Sequence, residues 1–344
     1  MRTAFRVDAS TEIGTGHVIR CLTLADKLRR KGILSDFICQ DLEGNFVNYI
    51  QEKGYSVWRI PPLLPFDTKE DTKETIKIIR DKKLDWIILD SYHLSYEWEQ
   101  KVAKHAKKIM VLDDLANRKH LCDILLDQNY YKNKEIRYDG LLKAETTKLL
   151  GPSFALIRDE FLRVRDLPKE KRDYTRILVS FGGSDTHDIT SRILVWLLEA
   201  IEENGGSTLV NVIIGGSNPR KEIIQKFCEK YDALQYYCQV DNMADQMHNA
   251  DLYVGAGGST TWERYCVGLP GIVITTADNQ VELTTNLQEL GIDAYLGHYD
   301  EVSKKSFKEA LSSIRQGECV RMKAQRIVDG AGAARVVEKL LNNY

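Results

Sequence analysis

The feature that most constrains this chain is a series of short apolar segments, each ending in a polar or glycine turn and followed by residues at helical spacing. Phe5 and Val7 lead to Asp8, after which Val18, Leu22, Ala25 and Leu28 fall on one face of a helix that closes near Gly32. Leu34 to Cys39, Leu84 to Asp90, Ile109 to Leu112 and Ile124 to Leu126 read as further buried strands, with Phe46 to Lys53 helical. The pattern then restarts. Arg176 to Phe181 runs into Gly182 and Gly183, Ile189 to Ala200 is helical, and Leu209 to Ile214, Leu252 to Val254 and Ile272 to Ile274 are strands. Such alternation predicts parallel β-α-β units, so the expected class is α/β with two doubly wound domains.

Between the two rounds, Arg165 to Asp173 is charged and contains a proline, which reads as a solvated linker. A chain of 344 residues also exceeds what one core comfortably organises. The expected domains are 1–164 and 174–318, with 319–344 a helix, interrupted at Gly330 to Gly332, that crosses back to the first domain. Pro61 to Pro65, with the charged run that follows to Lys83, reads as a loop and a surface helix.

Composition removes several function classes. Lysine and arginine total 48 against 50 aspartates and glutamates, a net charge of −2, which offers no general surface for nucleic acid or membrane. The seven cysteines are odd in number, scattered and without a C-x-x-C pair, which argues against a disulfide framework and a zinc site. Without a sustained apolar leader or a long uncharged run, a soluble cytoplasmic protein with no stable membrane association is expected. The histidines have no metal-like spacing, so neither metal nor cofactor is predicted. The pattern leaves the oligomeric state open.

Two turns carry candidate chemistry. In Gly14-Thr15-Gly16-His17-Val18-Ile19-Arg20 an imidazole stands where a strand gives way to a helix. The positive helix end favours a neutral ring able to accept a proton, which makes His17 a general-base candidate. A plain turn with an exposed histidine is the alternative. In Gly255-Ala256-Gly257-Gly258-Ser259-Thr260-Thr261-Trp262-Glu263 small residues open a helix whose free N–H groups suit a pyrophosphate. No lysine follows, so this is not a P-loop. Glu263, one turn beyond Ser259, is either a ribose acceptor or an ordinary first-turn glutamate. Asn279 and Gln280 open another helix, where their amides can hold sugar hydroxyls or, for Asn279, simply cap. Asp90-Ser91-Tyr92 and Asp113-Asp114 end first-domain strands, either as caps or as groups that orient His17 or a substrate.

These segments, with Phe181-Gly182-Gly183-Ser184-Asp185, resemble the UDP-2,4-diacetamido-2,4,6-trideoxy-β-L-altropyranose hydrolases of pseudaminic-acid biosynthesis. The block from Gly255 to Pro270 is also similar to the N-acetylglucosaminyltransferase that makes lipid II. The resemblance implies a GT-B architecture, two Rossmann-like domains facing a central cleft, with UDP held by the second. It implies His17 as the catalytic base, with Tyr92 and Asn279 on the sugar side, where Gly14, Gly16, Arg20, Asp113 and Gln280 are also expected. Around UDP it implies Glu263 at the ribose and Met243 at the uracil, where Gly183, Ser184, Gly257, Gly258, Ser259 and Thr260 are also expected. The expected partner is a UDP-sugar substrate. The expected reaction is inverting, metal-independent attack of water at the anomeric carbon, releasing UDP and 2,4-diacetamido-2,4,6-trideoxy-L-altrose. An inverting glycosyltransferase of the same fold and a nucleotide-sugar-binding protein without turnover are the alternatives. Extra residues over 61–83 and 130–148 are expected to reshape the sugar pocket.

Overall fold

The computed structural model describes the chain except residues 11–12, 171–174, 184, 206, 315–316 and 344 and the side chain of Asn204. It divides into two compact units, Met1–Leu156 with Ala331–Tyr344, and Ile157–Gly330.

The first unit is built on strands β1 Arg2–Val7, β2 Leu34–Gln40, β3 Ser56–Ile60, β4 Leu84–Asp90, β5 Ala106–Leu112, β6 Ile124–Asp127 and β7 Thr147–Leu150. They form one sheet in the order β3-β2-β1-β4-β5-β6-β7, with every pair parallel. Side chains alternate across the sheet. Phe5 and Val7 therefore share a core with Val18, Leu22, Val336 and Leu340 of the helices Gly16–Arg30 and Gly332–Asn342. Ala4 joins the opposite core with Ile87, Leu89 and Trp98.

Arg6 is also wholly buried. Its guanidinium pairs with Asp8 at 2.7 Å and with Asp71 at 2.5 Å, and Trp98 Nε1 donates to Asp71. The expected surface helix is present, with Lys69, Lys73 and Lys77 exposed and one face turned inward. Thr68–Ile79 is anchored inward because Asp71 is the counterion of Arg6, and an unpaired buried guanidinium would cost roughly 3–5 kcal/mol.

The second unit holds β8 Thr175–Ser180, β9 Thr208–Ile214, β10 Leu234–Cys238, β11 Leu252–Ala256, β12 Gly271–Thr275 and β13 Ala294–His298. Their order is β10-β9-β8-β11-β12-β13, again all parallel. One core gathers Val179, Ile193, Leu197, Val254 and Phe307. The helix Asp159–Arg165 packs within this unit on Thr260–Val267, so the division falls at Leu156 and Ile157 rather than at the charged run.

The C-terminal stretch is two helices. Glu318–Ile327 packs on Thr260–Val267 in the second unit, and Gly332–Asn342 on Gly16–Arg30 in the first. Glycines at this change are forced by crowding. A Cβ on Gly330 would lie 2.2 Å from Leu162 Cδ2, and one on Gly332 would lie 2.3 Å from the Ala155 carbonyl oxygen. Among the described residues no helix is long and apolar enough to cross a membrane.

In each sheet the strand order reverses at a central pair, β1 with β4 and β8 with β11, which opens a crevice beyond their carboxyl ends. His17 follows β1 and Asp90 ends β4; Gly182 and Gly183 follow β8, and Gly257 and Gly258 follow β11. Both candidate turns thus stand at switch points.

Candidate active site

Gly14 makes the first turn possible. At φ +77° it occupies the left-handed region, and its N–H donates to the Ser10 carbonyl at 2.9 Å. The helix then starts at Gly16 with no side-chain cap and no acidic residue in its first turn, so its positive end is left open.

His17 lies one residue into that helix, with 12% of its side chain exposed. Its Nδ1 is 2.6 Å from Asp90 Oδ1 and 3.2 Å from Arg20 Nη2. The shorter contact, to an anion, requires a proton between the atoms. Nδ1–H therefore donates to Asp90, so that in the neutral ring the lone pair a base needs lies on Nε2. The Tyr92 ring meets the imidazole nearly at right angles, with centroids 4.7 Å apart.

Arg20 was expected on the sugar side, but its donors point at carboxylates. Nε and Nη2 each reach Asp90 at 2.6 Å, and Nη1 reaches both oxygens of Asp114 at 3.0 and 2.8 Å. Such bidentate pairs fix geometry as well as charge. Burial by itself would push the Asp90 carboxyl up, but Arg20 and then His17 outweigh it and hold it well below the usual carboxylate range. Tyr92 Oη donates to Asp114 Oδ2 at 2.8 Å; burial, and then Asp114, push that phenol up. Asn129 Nδ2 also donates to Asp114, at 3.0 Å.

Asp113 requires a correction. It is fully buried, bonded to the Ala116 N–H and paired with Arg118 at 2.9 Å, because consecutive residues leaving a strand point to opposite sides. Asp114, its neighbour, is the one that meets the cluster. Asp90 and Asp114 were expected only as caps or as groups that orient His17 or a substrate, and Asn129 was not expected at all. Their only local signal is a polar residue after a buried strand, which caps share.

In the second unit the glycines separate by role. A Cβ on Gly255 would lie 1.9 Å from the Ser180 carbonyl oxygen, and one on Gly257 would lie 2.5 Å from Thr284 Oγ1. These two are required by packing. A Cβ on Gly258 would meet only Gln280 Nε2, at 3.8 Å, so this position has room for a ligand. Ser259 precedes the helix Thr260–Val267 without a side-chain cap bond.

Gly183 accepts a bond from Ser217 Oγ at 3.1 Å and supports Gly215 from below, since a Cβ there would lie 2.2 Å from its oxygen. Ser184 lies outside the described residues. Asn279 is exposed, whereas Gln280 Oε1 accepts from the Thr276 N–H at 3.0 Å and so pins its own turn. Met243 is half-buried at the start of the helix Met243–Asn249. Glu263 Oε1 accepts from Arg158 Nε at 2.7 Å, and Arg158 Nη1 also pairs with Glu160 at 2.5 Å. Neither Arg158 nor Glu160 was anticipated. They precede the restart of the strand pattern, and no motif marks them.

Comparison with known proteins bears on the fold and on the family resemblance. Residues 177–339 match the glycosyltransferase family 28 C-terminal domain. The chain is 27% identical over 295 residues to the UDP-2,4-diacetamido-2,4,6-trideoxy-β-L-altropyranose hydrolase of Campylobacter jejuni, covering 85% of this chain and 98% of that one. It is 24% identical over 350 residues to the spore coat polysaccharide biosynthesis protein SpsG of Bacillus subtilis, covering 100% and 99%. The crystal structure of Acinetobacter baumannii MurG superposes with a TM-score of 0.68 at 13% identity, covering 99% of each chain. The fold is therefore GT-B, with two Rossmann-like domains, and the resemblance read from the sequence motifs holds.

Proposed function

We propose that this protein is a UDP-sugar hydrolase that cleaves UDP-2,4-diacetamido-2,4,6-trideoxy-β-L-altropyranose by inverting attack of water, in pseudaminic-acid biosynthesis. The observation that carries the reading is His17 Nδ1 held 2.6 Å from a buried, ionised Asp90, which leaves Nε2 as the free basic nitrogen at a switch point. The relative of that name in Campylobacter jejuni supports the substrate class.

In this mechanism Nε2 takes a proton from water as its oxygen bonds to the anomeric carbon. The bond from that carbon to the diphosphate oxygen breaks, and its electron pair leaves with UDP. Asp90 stabilises the imidazolium that forms and holds the ring in one tautomer. The backbone amides at 258–260, at the start of the helix, take the charge growing on the departing diphosphate, without a metal in the step. Glu263 is assigned to the ribose, and Asn279 and Tyr92 to the sugar.

A glycosyltransferase remains the competing reading, because the second unit matches a glycosyltransferase domain. It would direct the same base at an acceptor hydroxyl. Incubating the purified protein with the UDP-sugar, a chelator and no acceptor separates the two. Stoichiometric UDP and free sugar are expected, with a His17→Ala variant slower by about 10²–10⁴-fold. Full turnover in that variant, or no turnover until an acceptor is supplied, would overturn the proposal. Intact substrate under every condition would leave only a binding protein.

A further inference from the structure

Behind the His17 cluster lies a second polar group that the proposed reaction does not use. Asp127 ends β6 and is 2% exposed. Its Oδ1 accepts from the Asn129 N–H at 3.0 Å, while its Oδ2 stands 3.0 Å from Tyr138 Oη. The same phenol oxygen is 3.1 Å from Asp113 Oδ2. A phenol has one hydrogen, and here it faces two carboxyl groups.

Asp113 is the ionised member of the pair. Burial alone would raise it, but His120, 3.8 Å away, and the charge of Arg118 lower it to about 2. The phenol hydrogen therefore belongs to Asp113. If Asp127 were also ionised, two oxygens 3.0 Å apart would have no hydrogen between them in a buried site.

We propose that Asp127 is a protonated positioning residue: its acid hydrogen completes the bond to Tyr138, and Asn129, bonded to both Asp127 and Asp114, carries its state to the Arg20 clamp. The charged and titratable groups that face it are Asp113 and Asp114 beyond β5, and Arg137 and Tyr138 from the segment between β6 and β7. Arg137 Nε, 3.3 Å from Oδ2, favours ionisation. Burial and then Asp114 outweigh it and raise the carboxyl to about 7. Ionisation would place a third carboxylate against Asp113 and Asp114 and loosen the hold on Asp114.

The proton itself is independent of the hydrolase reading, whereas its effect on turnover rests on it. The test follows aspartyl carboxyl carbons by NMR in the full chain from about pH 5 to 9, a range in which ordinary aspartates are already ionised. One signal titrating near neutrality is expected, and it should vanish in Asp127→Asn. If every aspartyl carbon is ionised throughout, or the signal survives the substitution, the proposal is wrong. The wild-type titration decides this even if the variant does not fold. With the UDP-sugar as substrate, wild-type kcat should fall at alkaline pH by about tenfold per pH unit, the slope of one proton. Asp127→Asn, a fixed neutral mimic, should extend the plateau. An unchanged alkaline limb would overturn the positioning role. A protein that shows the NMR titration but no turnover would instead count against the hydrolase alone.

Discussion

At the scale of the residue, the sequence located the base and offered its partner only as one of two readings, a cap or an orienting group. His17 is legible because a glycine turn, a helix start and an imidazole coincide within four residues. Asp90 lies 73 positions away and is brought within 2.6 Å only because β4 is hydrogen-bonded beside β1. Its depressed pKa has two consequences. The stabilisation from its pairing with Arg20 and His17 is complete above the unfolded value of about 3.9 and is lost as pH falls from there. Asp90→Asn should therefore be less stable than wild type at neutral pH, by roughly 3–5 kcal/mol for a broken buried pair. That gap should narrow in acid. Urea midpoints measured across the acid range check this, and a gap independent of pH would contradict the ionised pairing. Turnover of the variant should drop by about 10²–10⁴-fold while UDP affinity is kept, since the ring loses its preferred tautomer.

At the scale of the element, the legible strands are the inner ones. β1, β2, β4, β5 and β6, and likewise β8, β9, β11 and β12, are mostly buried and carry enough apolar residues to read as strands. Unread were β3, β7, β10 and β13, which are the four edges of the two sheets. They meet solvent along one side; Ser56–Ile60 has one buried residue in five, and no residue of Ala294–His298 is fully buried. The glycine loop after β11 divides in the same way between packing and ligand. Gly257→Ala should destabilise the protein by about 1–3 kcal/mol through overpacking against Thr284. Gly258→Ala should change stability little yet weaken UDP binding, because its Cβ would point into open space where the diphosphate is proposed to lie. Thermal melts paired with UDP titrations distinguish the two. Equal loss of stability in both variants would remove the distinction.

At the scale of the whole molecule, nucleotide binding should act on one unit. If UDP is held by residues of Ile157–Gly330, it stabilises that unit by about 2.7 kcal/mol at roughly a hundredfold excess over Kd. Calorimetry should show that unit's melting move upward with UDP, and an unmoved transition would place the nucleotide elsewhere. The sequence by itself determined the α/β class, two rounds of strands and helices, and the two turns where chemistry is placed, because those follow from periodicity and glycine over short stretches. The tertiary structure alone decided which strands neighbour one another. That choice sets Asp90 and Asp114, rather than Asp113, against His17 and Arg20, buries Asp71 under Arg6, and joins the last helix to the first. Each is a contact between residues far apart in the chain, fixed by sheet order and by the need to pair a buried charge, and neither leaves a local mark in the sequence.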